Sequence, residues 1–146
     1  MKISINEDSA LEEIEIILNC PRADQAVRRL IAALQSADIR LLGRCRGETA
    51  ILHPEDGLYI ESVDRRVFLY TQDQVCETDK KLYELAAQLS GRSFFRASKS
   101  AILNLNRVKS LRPELGARLL VTMENGEKIQ VSRQYAGAIK HALEVN

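Results

Sequence analysis

Residues 94–111 read FFRASKSAILNLNRVKSL and combine aromatic, basic and small polar residues in an unusual order. Two phenylalanines lead into a short polar run, Ser98-Lys99-Ser100, and the apolar residues resume only at Ala101. Ser-Lys-Ser is not typical of a buried strand, because its side chains favour water, and Phe-Phe is not typical of a solvated loop, because its side chains favour burial. The order therefore predicts a loop that is anchored in the core at both ends and presents a charged tip.

The length and composition around this stretch bound the class of protein. The chain has 146 residues, of which 45% are hydrophobic, enough for one ordinary domain or two small packed modules. No segment approaches the roughly 20 apolar residues that a membrane-spanning helix needs. The acidic, alternating N-terminus does not have the pattern of a signal or transit peptide. These features predict a cytoplasmic protein.

The net charge of +1 conceals an uneven distribution. Residues 1–90 carry 11 basic and 16 acidic side chains, whereas residues 91–146 carry 10 basic and 4 acidic ones. A basic C-terminal third on an acidic body is typical of a surface that binds a polyanion, although a merely solvated surface would also account for it.

The motifs of enzymes and metal sites are missing from the sequence. The seven glycines are scattered and form neither a Walker loop nor a Rossmann turn. Cys20, Cys45 and Cys76 are odd in number and far apart, which favours reduced, partly buried thiols. We therefore expect no catalytic residues, no metal, no cofactor, no small-molecule substrate and no enzymatic activity.

The first 46 residues are predicted to form a small β-β-α-β module. Residues 2–6 and 11–18 alternate like short strands, and Pro21 is predicted to open a helix that ends at residues 36–38. Residues 39–45 complete the module as a strand. The apolar face of the helix follows the spacing i, i+3, i+4 and i+7 at Val27, Leu30, Ile31 and Leu34.

From Gly47 onward the pattern is mostly that of β-strands. One helix interrupts them, with Thr78 or Asp79 as its cap and Gly91 as its stop, and Ser132 is predicted to cap a final helix. Asn125-Gly126 predicts a tight hairpin. The strands are expected at residues 49–52, 57–63, 66–71, 74–77, 119–123 and 128–131.

The segment from Gly47 to Val145 resembles the LytTR DNA-binding domain of bacterial response regulators and related transcription factors. The motifs that carry the resemblance are DGLYIESVDRRVFLYT, KKLYELAAQL, FFRASKSAILNLNRVKSL and ENGEKIQVSRQYAGAIK. The resemblance implies an α+β fold in which a mainly antiparallel β domain, residues 47–146, follows the module of residues 1–46. It also implies a sequence-specific transcriptional regulator that inserts loops into the major groove of double-stranded DNA.

The resemblance assigns roles to individual residues. Lys99, Arg133 and Arg66 match positions that contact bases, and arginine and lysine can bond to the guanine edge in the major groove. Serine hydroxyls and further basic or amide groups suit phosphates, which fix register without selecting sequence. The phosphate contacts are expected from Arg65, Arg96, Ser98, Ser100, Ser132 and Gln134.

The first 46 residues are too short for the receiver domain of full response regulators. The chain therefore resembles stand-alone members of the family, for which the resemblance implies a small membrane-bound regulatory protein as partner. We expect a homodimer, in which residues 1–46 serve dimerisation or regulation. The alternative function is a protein-interaction module whose basic C-terminal face binds an acidic partner.

Overall fold

A computed structural model describes residues 1–36, 40–90 and 92–144 of the chain. Three helices, ten strands and two 3-10 turns follow one another in these residues. In chain order they are α1 (Gln25–Ser36), β1 (Leu41–Cys45), β2 (Glu48–Leu52), a 3-10 turn (Pro54–Asp56), β3 (Tyr59–Val63), β4 (Arg66–Tyr70), β5 (Val75–Thr78), α2 (Leu82–Gln88), β6 (Phe94–Ser98), β7 (Ala101–Asn104), a second 3-10 turn (Leu105–Arg107), β8 (Val108–Glu114), β9 (Arg118–Met123), β10 (Lys128–Val131) and α3 (Arg133–Ala142).

The strands form two antiparallel sheets. The larger sheet has seven strands in the order β2-β1-β5-β4-β3-β7-β6, and the smaller has three in the order β10-β9-β8. The α+β class with mainly antiparallel strands is thereby confirmed. β1 pairs with β2 along its whole length and also with β5, so it belongs to the same sheet as the strands that follow residue 47.

Alternation along the central strands produces two separate cores. Ile60, Ile102 and Phe94 point to the face that α2 covers. Their chain neighbours Tyr59 and Leu103 point to the opposite face, which packs with the small sheet and α3. Because successive side chains of a strand face opposite ways, one seven-stranded sheet supplies a wall to both cores.

The local patterns of the C-terminal two thirds are largely confirmed. All six strands predicted after Gly47 are present, with bounds that differ by at most two residues. The Asn125-Gly126 turn joins β9 to β10, and Gly126 adopts a positive φ of 89° that suits glycine there. α3 begins directly after Ser132, as expected, but the Ser132 side chain makes no capping hydrogen bond. Ile139 of that helix is fully buried.

The two strands predicted at residues 2–6 and 11–18 are wrong: this part of the described chain contains no strand, and its side chains are exposed. Alternation alone does not make a strand, because the backbone also needs a neighbouring strand to hydrogen-bond. The predicted β-β-α-β arrangement of residues 1–46 therefore reduces to α1 and β1.

Two helix starts also differ from prediction. α1 begins at Gln25 rather than at Pro21, because the Asp24 carboxylate accepts a hydrogen bond from the Val27 amide at 3.1 Å and caps the helix there. α2 is capped at Lys81, whose amide donates to the Glu84 carboxylate at 3.2 Å. The predicted helix ends at residues 37–38 and Gly91, and residue 39 of the predicted strand, lie outside the described residues.

The prediction that all three cysteines are reduced thiols is wrong for two of them. Cys45 of β1 and Cys76 of β5 form a disulfide, with their Cα atoms 4.5 Å apart. Since these residues lie 31 positions apart in sequence, only the pairing of β1 with β5 brings them together. Cys20 is exposed and free.

Candidate nucleic-acid interface

Two backbone hydrogen bonds gather three distant segments at one end of the molecule. The Ser62 amide at the end of β3 donates to the Ser100 carbonyl at 2.8 Å. The Ser132 amide at the start of α3 donates to the Ala97 carbonyl of β6, also at 2.8 Å. As a result, the β3–β4 turn, the β6–β7 turn and the first turn of α3 share one end, which we call the contact end (residues 64–66, 96–100 and 132–134).

The β6–β7 turn is closed by its own residues. A bulge separates Arg96 from Ser98, and the Arg96 guanidinium donates to the carbonyls of Ser98 and Lys99 at 3.2 and 2.9 Å. The Ser98 hydroxyl oxygen accepts from the Ser100 amide at 3.2 Å. These bonds fix the main chain of the turn and leave the Lys99 side chain exposed to solvent. The predicted charged tip is therefore present.

The anchors of the tip lie where the sequence predicted them. Phe94 packs in the core beneath α2, whereas Phe95 packs against the opposite core. Ile102 and Leu103 return the chain to the same two cores, and both are buried. The strands on either side of the tip are therefore packed into both cores, one on each face of the sheet, which explains why Phe-Phe precedes a polar run.

The start of α3 presents two exposed polar side chains. The Ser132 hydroxyl donates to the Ala97 carbonyl at 3.3 Å instead of capping the helix, so it reinforces the link between α3 and β6. Arg133 and Gln134 follow in the first turn and are exposed. Free amides at a helix N-terminus also favour anions, although α3 carries a cation there that opposes the helix dipole.

The β3–β4 turn separates its two arginines. Asp64 and Arg65 both have positive φ, 51° and 66°, as in the tight turns that suit twisted hairpins, and the Arg65 side chain is exposed at the turn. The Arg66 guanidinium instead lies along the sheet and bonds to both oxygens of Glu77 at 2.8 and 2.9 Å. It also stands over the Phe68 ring, 5.2 Å from its centroid.

The pairing of Arg66 with Glu77 changes the ionisation of both groups. The hydrogen bonds that Arg66 donates lower the pKa of the Glu77 carboxyl below its ordinary value, and the same bonds, accepted by Glu77, raise the pKa of Arg66. Arg44 of β1 adds a further positive charge, with its Nη2 atom 3.6 Å from the Glu77 carboxylate. Glu77 is therefore held as a carboxylate between two arginines, a feature that the sequence analysis did not identify.

Asn104 holds the end of β7 in place by hydrogen bonds inside the protein. Its side chain is buried, donates to the Gly57 carbonyl at 2.8 Å, and accepts from the Ser93 hydroxyl at 2.9 Å and the Asn106 amide at 3.1 Å. A buried amide with all these bonds fixes the start of β3 and the end of β7, which lie side by side. The only sign of this role in the sequence was the position of Asn104 directly after the apolar residues Ile102 and Leu103.

The described residues contain no cluster of histidine, cysteine, aspartate or glutamate that could hold a metal ion. Among the helices described, none is both long and apolar enough to cross a membrane. The exposed cations of the contact end are Arg65, Lys99 and Arg133, and in the chain Lys99 is flanked by Ser98 and Ser100 and Arg133 follows Ser132. Chemically, such a surface can bind phosphate and the acceptor edges of bases.

Comparisons with known proteins agree with this geometry. The sequence model of the LytTr DNA-binding domain matches residues 47–144. The chain is 26% identical over 147 residues to an uncharacterized HTH-type transcriptional regulator of Staphylococcus aureus, with 99% of each chain covered. It is 30% identical over 95 residues to the sensory transduction protein LytT of Bacillus cereus, covering 65% of this chain and 39% of LytT.

A solved structure has the same fold. It is the LytTr DNA-binding domain of a Bacillus cereus protein described as a methyl-accepting/DNA response regulator. The TM-score is 0.66 at 24% sequence identity, covering 71% of this chain and 95% of that one. Since the family match spans well over half of the sequence and the fold agrees, the chain belongs to the LytTR family of DNA-binding domain proteins.

Proposed function

We propose that this protein is a sequence-specific transcriptional regulator that inserts its contact end into the major groove of double-stranded DNA. The observation that carries the proposal is the convergence of three segments at one end through the Ser62–Ser100 and Ser132–Ala97 backbone bonds. Side chains from one rigid end can span neighbouring base pairs and phosphates together, which scattered surface cations cannot do. The S. aureus relative is named a transcriptional regulator, which supports the same function for this chain.

The mode of binding that we propose relies on turns and a helix start rather than on a recognition helix. The S. aureus relative is named HTH-type, a class in which two consecutive helices dock on DNA. In the described part of this chain, strands separate each helix from the next. Only the first turn of α3 lies at the contact end, so α3 would approach DNA by its N-terminus.

Base contacts are proposed for Lys99 and Arg133, whose side chains are exposed. Arg66 is retained as a third candidate, with the condition that a base must compete with Glu77 for the two hydrogen bonds that Arg66 donates. Phosphate contacts are proposed for the polar groups around them. These are Arg65, Arg96, Ser98, Ser100, Ser132 and Gln134.

The proposed assembly is a homodimer on paired sites in bacterial cytoplasm, where the chromosome lies. Two linked half-sites raise the overall affinity without any new base contact. Residues 1–46 are proposed to serve this pairing or its regulation, beside the DNA-binding domain of residues 47–146. The small membrane-bound regulatory protein that the family resemblance implies stays part of the proposal, with no contact residues assigned to it.

The test compares alanine variants on a selected duplex and on random DNA. Lys99→Ala and Arg133→Ala should each reduce the preference for the selected duplex by about 1–3 kcal/mol, because each removes a base contact. Lys109→Ala is the matched control. Lys109 is exposed near the start of β8, which follows the end of β7 that lies away from the tip. Equal weakening on both duplexes would reassign Lys99 and Arg133 to the DNA backbone.

A salt titration tests the phosphate contacts separately. Arg65→Ala should weaken binding to all sequences and flatten the log–log salt dependence by up to about one unit. An unchanged slope would remove Arg65 from the interface. Wild-type protein that binds polyanions with strong salt dependence but no sequence preference would instead support the interaction module for an acidic partner.

A further inference from the structure

The N-terminal segment of residues 11–18 leaves its apolar side chains in water. Ile14, Ile16 and Ile17 are exposed by 90, 57 and 71%. Glutamates at positions 13 and 15 alternate with Ile14 and Ile16, so an extended chain would carry these isoleucines on one face and these glutamates on the other. Clustered exposed apolar residues of this kind mark a surface that another molecule covers.

The β2 strand offers a matching unpaired edge. It is the outermost strand of the seven-stranded sheet, and in the part of the chain described by the structure it pairs only with β1. Leu42 and Ile51 are cross-strand partners on the outer face of this edge, and they are 65 and 55% exposed. An exposed strand edge is a template for an added strand, with backbone bonds for affinity and side-chain contacts for selectivity.

The charges of the two surfaces are opposite. Residues 11–18 contain three glutamates and no basic residue. The β1–β2 hairpin, residues 40–52, contains Arg40, Arg44 and Arg46 against Glu48. Arg44 is already paired with Asp79 at 2.9 Å, so Arg40 and Arg46 carry the remaining positive charge. Since opposite charges steer association and suppress wrong pairings, the acidic segment suits this edge better than a basic or neutral strand would.

We propose that residues 11–18 of one copy add as a strand to the β2 edge of a second copy, and that the exchange is reciprocal. The inference rests on the proposed homodimer and names its interface. A single copy leaves both the segment and the edge exposed, so its own segment does not cover its own edge. A two-fold exchange would cover two segments and two edges at once, as symmetric dimers do.

The experiment measures the mass of the full-length protein by analytical ultracentrifugation. The wild-type chain should sediment at twice its 16.4 kDa. The donor variant, I14E with I16E, and the acceptor variant, I51E, should each raise the dimer dissociation constant roughly tenfold or more. The control variant I5E, which changes an exposed isoleucine outside the segment, should stay within about twofold of wild type.

Mixing the donor and acceptor variants separates exchange between copies from attachment within one copy. The mixture retains one intact segment–edge pair per heterodimer, so it should associate more tightly than either variant alone. Amides of residues 11–18 should also gain protection from hydrogen exchange only at concentrations where the dimer forms. A monomeric wild type, a dimer insensitive to both variants, or a mixture no tighter than its parts would each overturn the proposal.

A DNA measurement keeps this test distinct from that of the proposed function. All variants retain the contact end, so their affinity for a single half-site should equal that of wild type. A wild-type protein that dimerises as described but shows no sequence preference would refute the proposed regulator function and leave the strand exchange standing.

Discussion

Reduction of the Cys45–Cys76 disulfide is expected to lower the stability of the protein substantially. The two cysteines join β1 to β5 across a sequence separation of 31 residues. The loop-closure model assigns a cross-link of that span about 4 kcal/mol at 25 °C, because the bond restricts the unfolded chain. For a domain of this size, each kcal/mol shifts Tm by about 2–4 °C, so full reduction should lower Tm by about 8–16 °C.

The assay is thermal unfolding with and without a phosphine reductant, together with a thiol count in denaturant. The oxidised protein should have one reactive thiol, Cys20, and the reduced protein three. The double variant C45A/C76A should unfold near the reduced wild type and should not respond to reductant. The variant C20S is the matched control, because Cys20 is exposed and its replacement should change Tm little.

Two results would refute this reasoning. Three reactive thiols in the air-oxidised, denatured protein would mean that Cys45 and Cys76 do not bond. A Tm that moves by less than about 2 °C on complete reduction would mean that the cross-link does not restrict the unfolded chain to the extent that the loop-closure model requires. A reducing cytoplasm would favour the dithiol. The same thiol count, made on protein whose thiols are blocked chemically at the moment of cell lysis, measures which form is present in cells.

Three further perturbations have expected outcomes that follow from single contacts. Asn104→Ala should destabilise the protein by about 1–3 kcal/mol in denaturant titrations, since it leaves the buried Gly57 carbonyl without its donor; a loss below about 0.5 kcal/mol would contradict this account. Arg66 lowers the pKa of Glu77 below its ordinary 4.5. The free energy that this ion pair adds to folding is therefore fully present above pH 4.5 and is lost as pH falls through the lowered pKa. The gap in Tm between wild type and Glu77→Gln should therefore narrow below about pH 4.5, and a constant gap would exclude the pairing in solution. Burial raises the pKa of Tyr59 to about 12, so the contribution of Tyr59 to the free energy of unfolding should decline as pH rises from 10 towards 12. In alkaline unfolding experiments, a Tyr59→Phe variant should lack this decline.

Local signals predicted the C-terminal part of the fold well. The turn at Asn125-Gly126 needs only its own residues and the flanking alternation, and it lies where expected. Phe94 and Phe95 were expected to anchor the charged tip, and both do so. In each case, sequence neighbours decide the conformation, so the sequence is sufficient to predict it.

Features that depend on a distant partner could not be predicted in this way. Residues 11–18 alternate like a strand, but a strand forms only when another strand lies beside it, and nothing local specifies that partner. The sequence does not show that Arg66 is paired, because Glu77 reaches it only through the register of β4 with β5, which sets Glu77 opposite Phe68 and diagonal to Arg66. The Cys45–Cys76 bond likewise depends on which strands adjoin, a property of the whole topology.

The three segments of the contact end are aligned with one another by main-chain hydrogen bonds, and this has a consequence for how such regulators can diverge. The bonds that align its segments run between the amides and carbonyls of Ser62, Ser100, Ser132 and Ala97. Position 99 contributes only its carbonyl to the closure of the tip, and any residue type carries that group. Substitutions at Lys99 could therefore accumulate after gene duplication with little cost in stability. With Lys99 as the proposed base contact, paralogues could acquire new operators while keeping the same scaffold, so the identity of residue 99 should vary more freely between duplicated copies than that of Asn104.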